Sequence, residues 1–328
     1  MFLIFLSDVN KDRISFKKGD VKMRVGVIGT GKMGKNHVRV YSELRGVDEI
    51  YVYDVNKANA ERMKEYGAIV VTDLNELLNK VEIASICAST QYHFELAKKA
   101  IEKDVNILIE KPITANAKEG HELINLLKGK DLVVGVGHIE RFNPIVGEIK
   151  KIVSKPTYIE IKRHNPASKR ITDTTVVEDL MIHDIDILFN VLMENEKDFD
   201  IYSAGNSDLY KTLVVFKNTV ASLSASRMAS KKIRTIYIET EDFTLEGDFM
   251  SQEIYVYKKP EKYHIEDEKY MQENIIEKVL INKIEPLKVE LKMFVDAVEK
   301  HKEFPVTPEQ AVRNIELADF IRNKGNKI

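Results

Sequence analysis

The hydrophobic positions of this chain follow two different patterns, one before and one after about residue 140. From Met23 to about residue 140, short apolar runs alternate with longer amphipathic stretches. This alternation is typical of βαβ units, which build a parallel sheet covered by helices on both faces. The predicted strands are MRVGVI, EIYVYD, AIVV, IASICA, VNILIE and LVVGVG, and the predicted helices lie near 32–45, 57–66, 73–79, 92–103 and 115–127.

After residue 140 the pattern changes to strands in direct succession. Turn signals such as Lys217-Asn218 separate them, which indicates a mostly antiparallel sheet. A helix near 178–194 interrupts the series, and two more follow near 286–301 and 308–323. The predicted strands of this part are YIEIKRH, FDIYSAG, LYKTLVVF, TVASLSAS, IRTIYIET and EIYVYKK.

The two patterns predict an α/β protein of two domains. A doubly wound Rossmann domain covers residues 23–140, and an α+β domain with a large antiparallel sheet covers residues 141–328. The length of 328 residues fits this division. We expect the first domain to bind a dinucleotide and the second to bind the substrate and mediate oligomerisation.

Charge and cysteine content narrow the class of partner. The formal net charge of -2 provides no electrostatic reason to expect nucleic acid or an anionic membrane. No transmembrane span is predicted. Cys87 is the only cysteine, which excludes an internal disulfide and fits a reducing cytoplasm.

Residues 1–22 do not fit either domain. The run MFLIFLS is shorter than the apolar region of a secretory signal and lacks a basic leader. The polar stretch that follows has no periodicity, and a clear strand begins at Met23. We expect residues 1–22 to be a dispensable extension upstream of a start at Met23.

A glycine motif follows the first predicted strand. Gly29, Gly31 and Gly34 have GxGxxG spacing at the N-terminus of a predicted helix, with Lys32 and Met33 between the last two. The first glycine allows a tight turn, the second admits a pyrophosphate, and the third lets the helix pack closely on the strand. The helix N-terminus then faces the phosphates. A Rossmann-like domain without cofactor is the alternative.

The second strand supplies the acid that completes this fingerprint. Asp54 ends that strand, 20 residues beyond Gly34. Its carboxylate can accept hydrogen bonds from both ribose hydroxyls of an adenosine and would repel a 2′-phosphate. This favours NAD over NADP, although Lys57 nearby keeps NADP open.

Two further strand ends carry polar groups to the same edge of the sheet. Ser89 and Thr90 follow the fourth strand, and Glu110, Lys111 and Pro112 follow the fifth. Ligands of open α/β sheets bind beyond the carboxyl ends of the strands. We therefore expect Ser89, Thr90 and Glu110 beside the cofactor and Lys111 at its nicotinamide end. An exposed lysine paired with Glu110 is the plainer alternative.

The segment EDLMIHDIDILFNVLM combines apolar residues with one narrow polar seam. Asp179, His183, Asp186 and Asn190 fall at helical spacing on that seam. These four residues could form part of a catalytic site, and they equally fit the solvent-exposed face of an amphipathic helix. A zinc site of Asp179, His183 and Asp186 is a further alternative, but we expect no metal because no other His or Cys is positioned nearby.

These motifs resemble the glucose-fructose oxidoreductase, inositol dehydrogenase and MocA family over nearly the whole chain after Met23. The resemblance rests on MRVGVIGTGKMGKNH, Asp54, ILIEKP and EDLMIHDIDILF. It implies that Lys111 contacts the substrate beside the nicotinamide and that the peptide bond before Pro112 is cis. It also implies that Asp179 and His183 are the catalytic pair.

The chain departs from the family pattern at one segment, and the resemblance leaves two roles for His93. The diglycine that often precedes the catalytic pair is replaced by Thr174-Thr175-Val176-Val177, which puts the substrate-loop contacts in doubt. His93 matches a cofactor-side position of the family. It is expected either to contact the nicotinamide ribose or to cap its own helix.

The implied residues suit the oxidation of a secondary alcohol. An ammonium at ~4 Å stabilises an alkoxide by about 4 kcal/mol at an effective dielectric constant of ~20. That is not enough to ionise a hydroxyl at neutral pH, so a base is still required. We expect His183 to take the proton, Asp179 to orient its ring, and Lys111 to stabilise the alkoxide.

The substrate is predicted from a narrower resemblance. GHIERFNP, residues 137–144, with DLMIHDID and EPLKVELKMFVDAV looks most like the branch that oxidises C3 of UDP-N-acetylglucosamine. Arg141 and Asn143 are expected to line the substrate side of the cleft with Lys111 and His183. An inositol or free polyol substrate is the alternative, and a non-catalytic NAD-dependent sensor is another. Pairing of two large sheets predicts a homodimer or homotetramer.

Overall fold

The computed structural model describes residues 23–166, 174–260, 263–266, 269–272, 274–324 and 326–327. The predicted extension, residues 1–22, therefore lies outside the described part of the chain. Among the helices that are described, none combines the length and the apolar character needed to cross a membrane.

The N-terminal sheet has six strands, and every neighbouring pair is parallel. Their order across the sheet is β3-β2-β1-β4-β5-β6, so the order in which strands are added reverses between β1 and β4. This order confirms the predicted doubly wound sheet. The strands are β1 (Met23–Ile28), β2 (Val47–Tyr53), β3 (Ile69–Val70), β4 (Ile83–Ile86), β5 (Asn106–Glu110) and β6 (Val134–Gly137).

Helices cover both faces of this sheet. Three of them begin where the sequence supplies a capping side chain: Asn56, Asp73 and Asn116 each accept a hydrogen bond from a backbone N–H of the first turn. The helices are α1 (Lys32–Glu43), α2 (Lys57–Arg62), α3 (Leu74–Leu78), α4 (His93–Glu102) and α5 (Ala117–Leu127).

A second, nine-stranded sheet follows, in the order β16-β13-β12-β11-β7-β10-β9-β8-β17. Its neighbours are antiparallel except for β7 with β10 and β8 with β17. The strands are β7 (Tyr158–His164), β8 (Phe199–Gly205), β9 (Leu209–Phe216), β10 (Val220–Ser226), β11 (Ile233–Glu239), β12 (Phe243–Asp248), β13 (Glu253–Lys258), β16 (Ile276–Val279) and β17 (Asn326–Lys327), and β14 (Tyr263–Glu266) pairs separately with β15 (Lys269–Gln272).

Four described α-helices lie in the chain after β6: α6 (Pro144–Ile152), α7 (Ile182–Ile187), α8 (Pro286–Glu299) and α9 (Pro308–Lys324). The predicted helix at 178–194 is more irregular than expected. Only α7 is a regular α-helix, and π-helical turns at Val177–Met181 and Leu188–Leu192 flank it. Such turns are frequent at functional sites.

The two hydrophobic cores do not follow the chain order strictly. Leu287, Leu291 and Phe294 of α8, and Val312 at the start of α9, pack in the core of the N-terminal sheet. The core of the second sheet includes α6, α7 and the end of α9. The C-terminal helices therefore join the two parts, and α8 contributes side chains beneath the N-terminal half of the site.

Candidate active site

The glycine loop has the geometry of a phosphate-binding turn. Gly29 has a φ of 86°, and a Cβ at Gly34 would lie 1.9 Å from the Gly29 carbonyl oxygen, so both positions require glycine. A Cβ at Gly31 would meet nothing within 4 Å, so the space beside it is open. Gly31 caps α1 without a side-chain hydrogen bond, and the first turn has no acidic residue. The N-terminal N–H groups of α1 are thus suited to an anion.

Asp54 is fixed beside this loop by backbone contacts. Its Oδ2 accepts hydrogen bonds from Thr30 N (2.6 Å) and Thr30 Oγ1 (2.9 Å), and its Oδ1 accepts from Asn56 N (2.7 Å). The carboxylate borders a pocket of about 620 Å³, within the roughly 300–1,000 Å³ typical of small-molecule sites. Gly29, Gly31, Asp54 and Ser89 of the predicted residues line this pocket, together with Tyr53 and Tyr92, which were not predicted.

The remaining residues predicted for the cofactor fall into two groups. Lys32 and Met33 form the first turn of α1, and Thr90 begins the turn after β4, all at the carboxyl edge of the sheet. His93 has a different environment from the one expected. It is buried, and its Nδ1 and Nε2 each lie 2.9 Å from a backbone carbonyl oxygen, of Pro112 and Ala88. His93 therefore joins two strand ends, and both ring nitrogens are already engaged.

Glu110, like His93, has a different environment from the one expected. It is buried, and its Oε1 lies 2.8 Å from Nε2 of the buried His37. Its side chain points beneath the sheet edge and does not line the cofactor pocket. The Glu110 carboxylate therefore faces α1, and its contact with the cofactor stays a prediction.

Lys111 turns toward the second domain. Its Nζ donates a hydrogen bond to the backbone oxygen of Asp179 (2.8 Å) and lies 3.6 Å from Asp179 Oδ1. The peptide bond between Lys111 and Pro112 is cis, as the resemblance implies. Burial lowers the pKa of Lys111, while the charges of Asp179 and Glu110 act in the opposite direction. The alternative of an exposed lysine paired with Glu110 is not what the structure shows.

Asp179 contacts cations and not the imidazole of His183. Its Oδ2 accepts from Arg227 (3.3 Å), while its backbone oxygen and Oδ1 face Lys111. His183 Nδ1 is buried and has no hydrogen-bond partner. Asp179 was expected to orient the His183 ring, but the π-helical turn directs its side chain toward Lys111 and Arg227.

His183 lies in a strongly electropositive environment. Burial lowers its pKa well below the ordinary 6.5, and the charges of Lys111 and then Arg163 lower it further. The ring of His138 packs edge-on against it at 6.2 Å between centroids. His183 is therefore neutral at neutral pH, and Nε2 is the ring nitrogen that remains accessible to a substrate.

The rest of the polar seam is neither a wet surface nor a zinc site. Asp186 is 1% exposed and accepts hydrogen bonds from Arg141 (Nε to Oδ2, 2.7 Å), Asn190 and Asn314. Desolvation raises the pKa of Asp186, but His138 and Arg141 outweigh it and the pKa is lowered. Asp179 and Asp186 thus face different cations, and no ion could bridge them through His183.

Arg141 and Asn143 do not line the substrate side as predicted. Arg141 pairs with Asp186 and also donates to Gln310 Oε1 (3.1 Å). Asn143 is buried, caps α6 through Ile145 N and donates to the Phe249 oxygen (3.0 Å). Both expectations are corrected for the same reason: these polar atoms are already paired inside the second domain.

A buried charge network beneath His183 was missed by the sequence analysis. Arg163 is 1% exposed and contacts Asp184 (Nε to Oδ1, 2.9 Å) and Glu140 (2.9 Å), and Arg234 shares the same Glu140 oxygen (2.8 Å). One signal was available. Arg163 follows Ile159 and Ile161 at alternate positions of β7, so it occupies an inward-facing position of the strand.

Comparison with known proteins agrees with this geometry. The profile of an oxidoreductase family with an NAD-binding Rossmann fold (GFO_IDH_MocA) matches residues 23–138. The UDP-N-acetylglucosamine 3-dehydrogenase of Acidithiobacillus ferrooxidans is 30% identical over 245 residues, which cover 72% of this chain and 77% of that enzyme. Its solved structure has a TM-score of 0.83 at 26% identity, covering 92% of this chain and 97% of that one.

Inositol dehydrogenases also match, over a shorter region. The inositol 2-dehydrogenase of Pseudarthrobacter chlorophenolicus is 28% identical over 179 residues, or 51% of this chain and 53% of that enzyme. The fold, the glycine loop and these similarities define an NAD-binding oxidoreductase. The chain belongs to the Gfo/Idh/MocA family.

Proposed function

We propose that this chain is an NAD-dependent dehydrogenase that oxidises the C3 hydroxyl of UDP-N-acetylglucosamine to the 3-keto sugar. The observation that carries the proposal is the meeting of Lys111 and His183 across the domain boundary. Lys111 donates a hydrogen bond to the backbone of Asp179, one helical turn before His183, and its charge lowers the pKa of His183 more than any other charge nearby. These two groups provide the base and the cation that alcohol oxidation requires.

The residues have separable tasks in this reaction. Neutral His183 accepts the hydroxyl proton at Nε2, and the Lys111 ammonium stabilises the alkoxide that develops. Asp179 positions Lys111 through the 2.8 Å contact to its backbone oxygen. NAD held by the glycine loop and Asp54 would supply the hydride acceptor, so the alcohol would lose one hydride from C3 and one proton to His183. Loss of any of these three residues would have favoured a non-catalytic sensor.

The residues at the glycine loop fit NAD. The open space at Gly31 and the uncapped N-terminus of α1 suit a pyrophosphate, and Asp54 is held where ribose hydroxyls are expected. We propose NAD and not NADP because this carboxylate would repel a 2′-phosphate. Ser89 and Thr90 are proposed to contact the cofactor nearer its nicotinamide, and Lys32 and Met33 to contact its phosphates.

A sugar nucleotide also needs cations for its diphosphate, and Arg141 does not supply one. Lys232 and Arg234, at the start of β11, are better placed. Arg234 is among the charges that lower the pKa of His183. The pKa of Lys232 is lowered first by Arg234, and Lys32 of the glycine loop also lowers it. Arg163 and Arg234 are balanced by Glu140 and Asp184, so Lys232 is an additional cation there, and we propose that it binds the diphosphate together with Arg234.

The state of the protein in the cell is part of the same proposal. The outward face of the nine-stranded sheet carries polar and aromatic side chains, including Tyr237, Glu246 and Tyr255. We propose that two such faces pair in a homodimer or homotetramer, which light scattering of the purified protein would test. The free Cys87 suits the cytoplasm.

The substrate is tested by following NADH absorbance with NAD and a panel of UDP-sugars, free sugars and inositols. We expect turnover with UDP-N-acetylglucosamine and none with N-acetylglucosamine alone, since the free sugar lacks the diphosphate. Turnover with inositol instead would establish the alternative suggested by the inositol 2-dehydrogenases. Absence of turnover with every substrate, together with tight NAD binding, would support the sensor.

A further inference from the structure

Three buried ionisable side chains meet beneath the strand that carries Lys111. His37 comes from α1, Glu110 from the end of β5, and Glu290 from α8, and their exposed fractions are 0%, 7% and 0%. One ligand atom from each lies within 4.8 Å of the others. His37 Nε2 and Glu110 Oε1 are 2.8 Å apart. Both carboxyl oxygens of Glu290 lack a hydrogen-bond partner.

The surroundings provide little to balance two negative charges. Among the described residues, no Lys or Arg forms an ion pair with Glu290. The other titratable groups nearby are the Cys87 thiol and the Tyr41 hydroxyl, which is hydrogen-bonded to Ser85 Oγ (2.8 Å). Lys111 follows Glu110 directly but its ammonium faces Asp179. Two ionised carboxylates at this short distance in a buried site are strongly unfavourable, so one of them must be neutralised.

We propose that Glu290 is a neutral carboxylic acid that keeps its proton and donates a hydrogen bond to the Glu110 carboxylate, so that Glu110 is held by His37 on one side and by Glu290 on the other. Glu290 is then a positioning residue for the end of β5 and for Lys111. Its protonation state does not depend on the substrate, whereas its effect on Lys111 rests on the proposed function.

The electrostatics of the cluster agree with this assignment. Burial and then the charge of Glu110 raise the pKa of Glu290 well above its ordinary value. The single charge left on Glu110 in turn raises the pKa of Lys111, opposing the effect of burial. Glu110 thereby helps to keep Lys111 protonated. Because Glu290 is neutral, the cluster carries no second buried negative charge.

A divalent metal ion is another group that would neutralise the pair, and the geometry favours the proton. Ligand atoms around a tetrahedral zinc lie roughly 3.3 Å apart, whereas His37 Nε2 and Glu110 Oε1 are at hydrogen-bond distance, 2.8 Å. His37 and Glu290 are also completely buried, which leaves a metal ion no entry path on their side.

The test is the pH dependence of unfolding of the full chain, which needs no activity. A raised pKa in the folded state means that native Glu290 keeps a proton that the unfolded chain has released. Stability therefore falls as pH rises above the ordinary pKa of Glu, and the unfolding equilibrium constant increases about tenfold per pH unit for one proton. Glu290→Gln removes this dependence, and Glu299→Gln, on the same helix, retains it.

Activity and metal content complete the experiment. Glu290→Gln keeps a donor toward Glu110, so its kcat/KM should fall less than that of Glu290→Ala, and the alkaline limb of its pH profile should stay closer to that of the unmutated protein. The same pH slope in the unmutated protein and in Glu290→Gln would overturn the proposal. Stoichiometric metal that is lost in Glu290→Gln would overturn it in favour of a metal site.

Discussion

The two halves of the cleft are built from different kinds of contact. On the cofactor half, backbone groups form the site: the glycine loop, the start of α1 and the N–H groups that hold Asp54. On the substrate half, buried side chains hold one another, as in Arg141 with Asp186 and Arg163 with Asp184. The first half depends on local chain geometry, whereas the second depends on residues far apart in sequence. Substitutions in the two halves should therefore have different effects on the protein.

The largest effect is expected at His183, the proposed base. His183→Ala should lower kcat by about 10²–10⁴-fold because it removes the group proposed to accept the hydroxyl proton. Binding of NAD, measured by titration calorimetry, should be retained because the glycine loop lies in the other domain. His121→Ala is the matched control, since His121 is exposed and pairs with Glu316. Retained turnover in His183→Ala would remove this residue from the mechanism.

The second effect concerns stability and not chemistry. Arg163→Met leaves Asp184 and Glu140 buried with reduced pairing, which should cost about 3–5 kcal/mol of unfolding free energy. Urea unfolding measures this loss. Lys162→Met, at the adjacent outward position of β7, should change stability by roughly 0.5 kcal/mol or less. Equal midpoints for the two variants would show that the network does not support the substrate half.

The third effect concerns the cofactor half alone. Asp54→Asn removes the charge that opposes a 2′-phosphate and keeps an acceptor for Thr30. The ratio of kcat/KM for NADP to that for NAD should rise by roughly 30-fold, or about 2 kcal/mol. Lys57→Ala should lower NADP use instead. An unchanged ratio in Asp54→Asn would mean that this carboxylate does not select the cofactor.

A smaller effect is expected at the mouth of the cleft. Lys232→Ala should raise the inhibition constant of UDP by roughly fivefold, equivalent to about 1 kcal/mol, because one exposed cation is lost. The exposed neighbour Lys231 offers a control in Lys231→Ala. If both variants bind UDP as the unmutated protein does, the diphosphate is bound elsewhere.

The pH profile sharpens the assignment of base and cation. Because the pKa of His183 is lowered well below 6.5, the acidic limb of kcat/KM should fall below pH 6.5. The pKa of Lys111 is lowered from 10.5. As the pH rises, the ammonium should therefore lose its proton, and activity should start to decline, before pH 10.5 is reached. Lys111→Arg should remove that alkaline limb, since a guanidinium stays charged. An acidic limb above pH 6.5 would contradict a neutral His183 in the free enzyme.

Sequence patterns located the elements well but not every boundary. β1, β7, β8 and β9 match their predicted limits, since alternation of apolar residues marks them. β12 was missed because FTLEGD contains Glu, Gly and Asp, which are depleted in strands. α6 was also missed, because the segment after residue 140 was interpreted as cleft-lining loop. The parallel pairing of β7 with β10 has no local signal, since it joins residues 62 positions apart at Tyr158 and Val220.

The doubly wound sheet, the glycine turn, Asp54 and the position of Lys111 at the carboxyl edge could all be predicted from the sequence, because each follows from short-range order in βαβ units. The tertiary structure decided which polar side chains remain free for a ligand. Arg141, Asn143, His93 and Glu110 have the chemistry of site residues, yet each is paired with a distant group inside the fold. Burial penalises an unpaired polar atom, so its partner is set by three-dimensional packing and not by spacing along the chain.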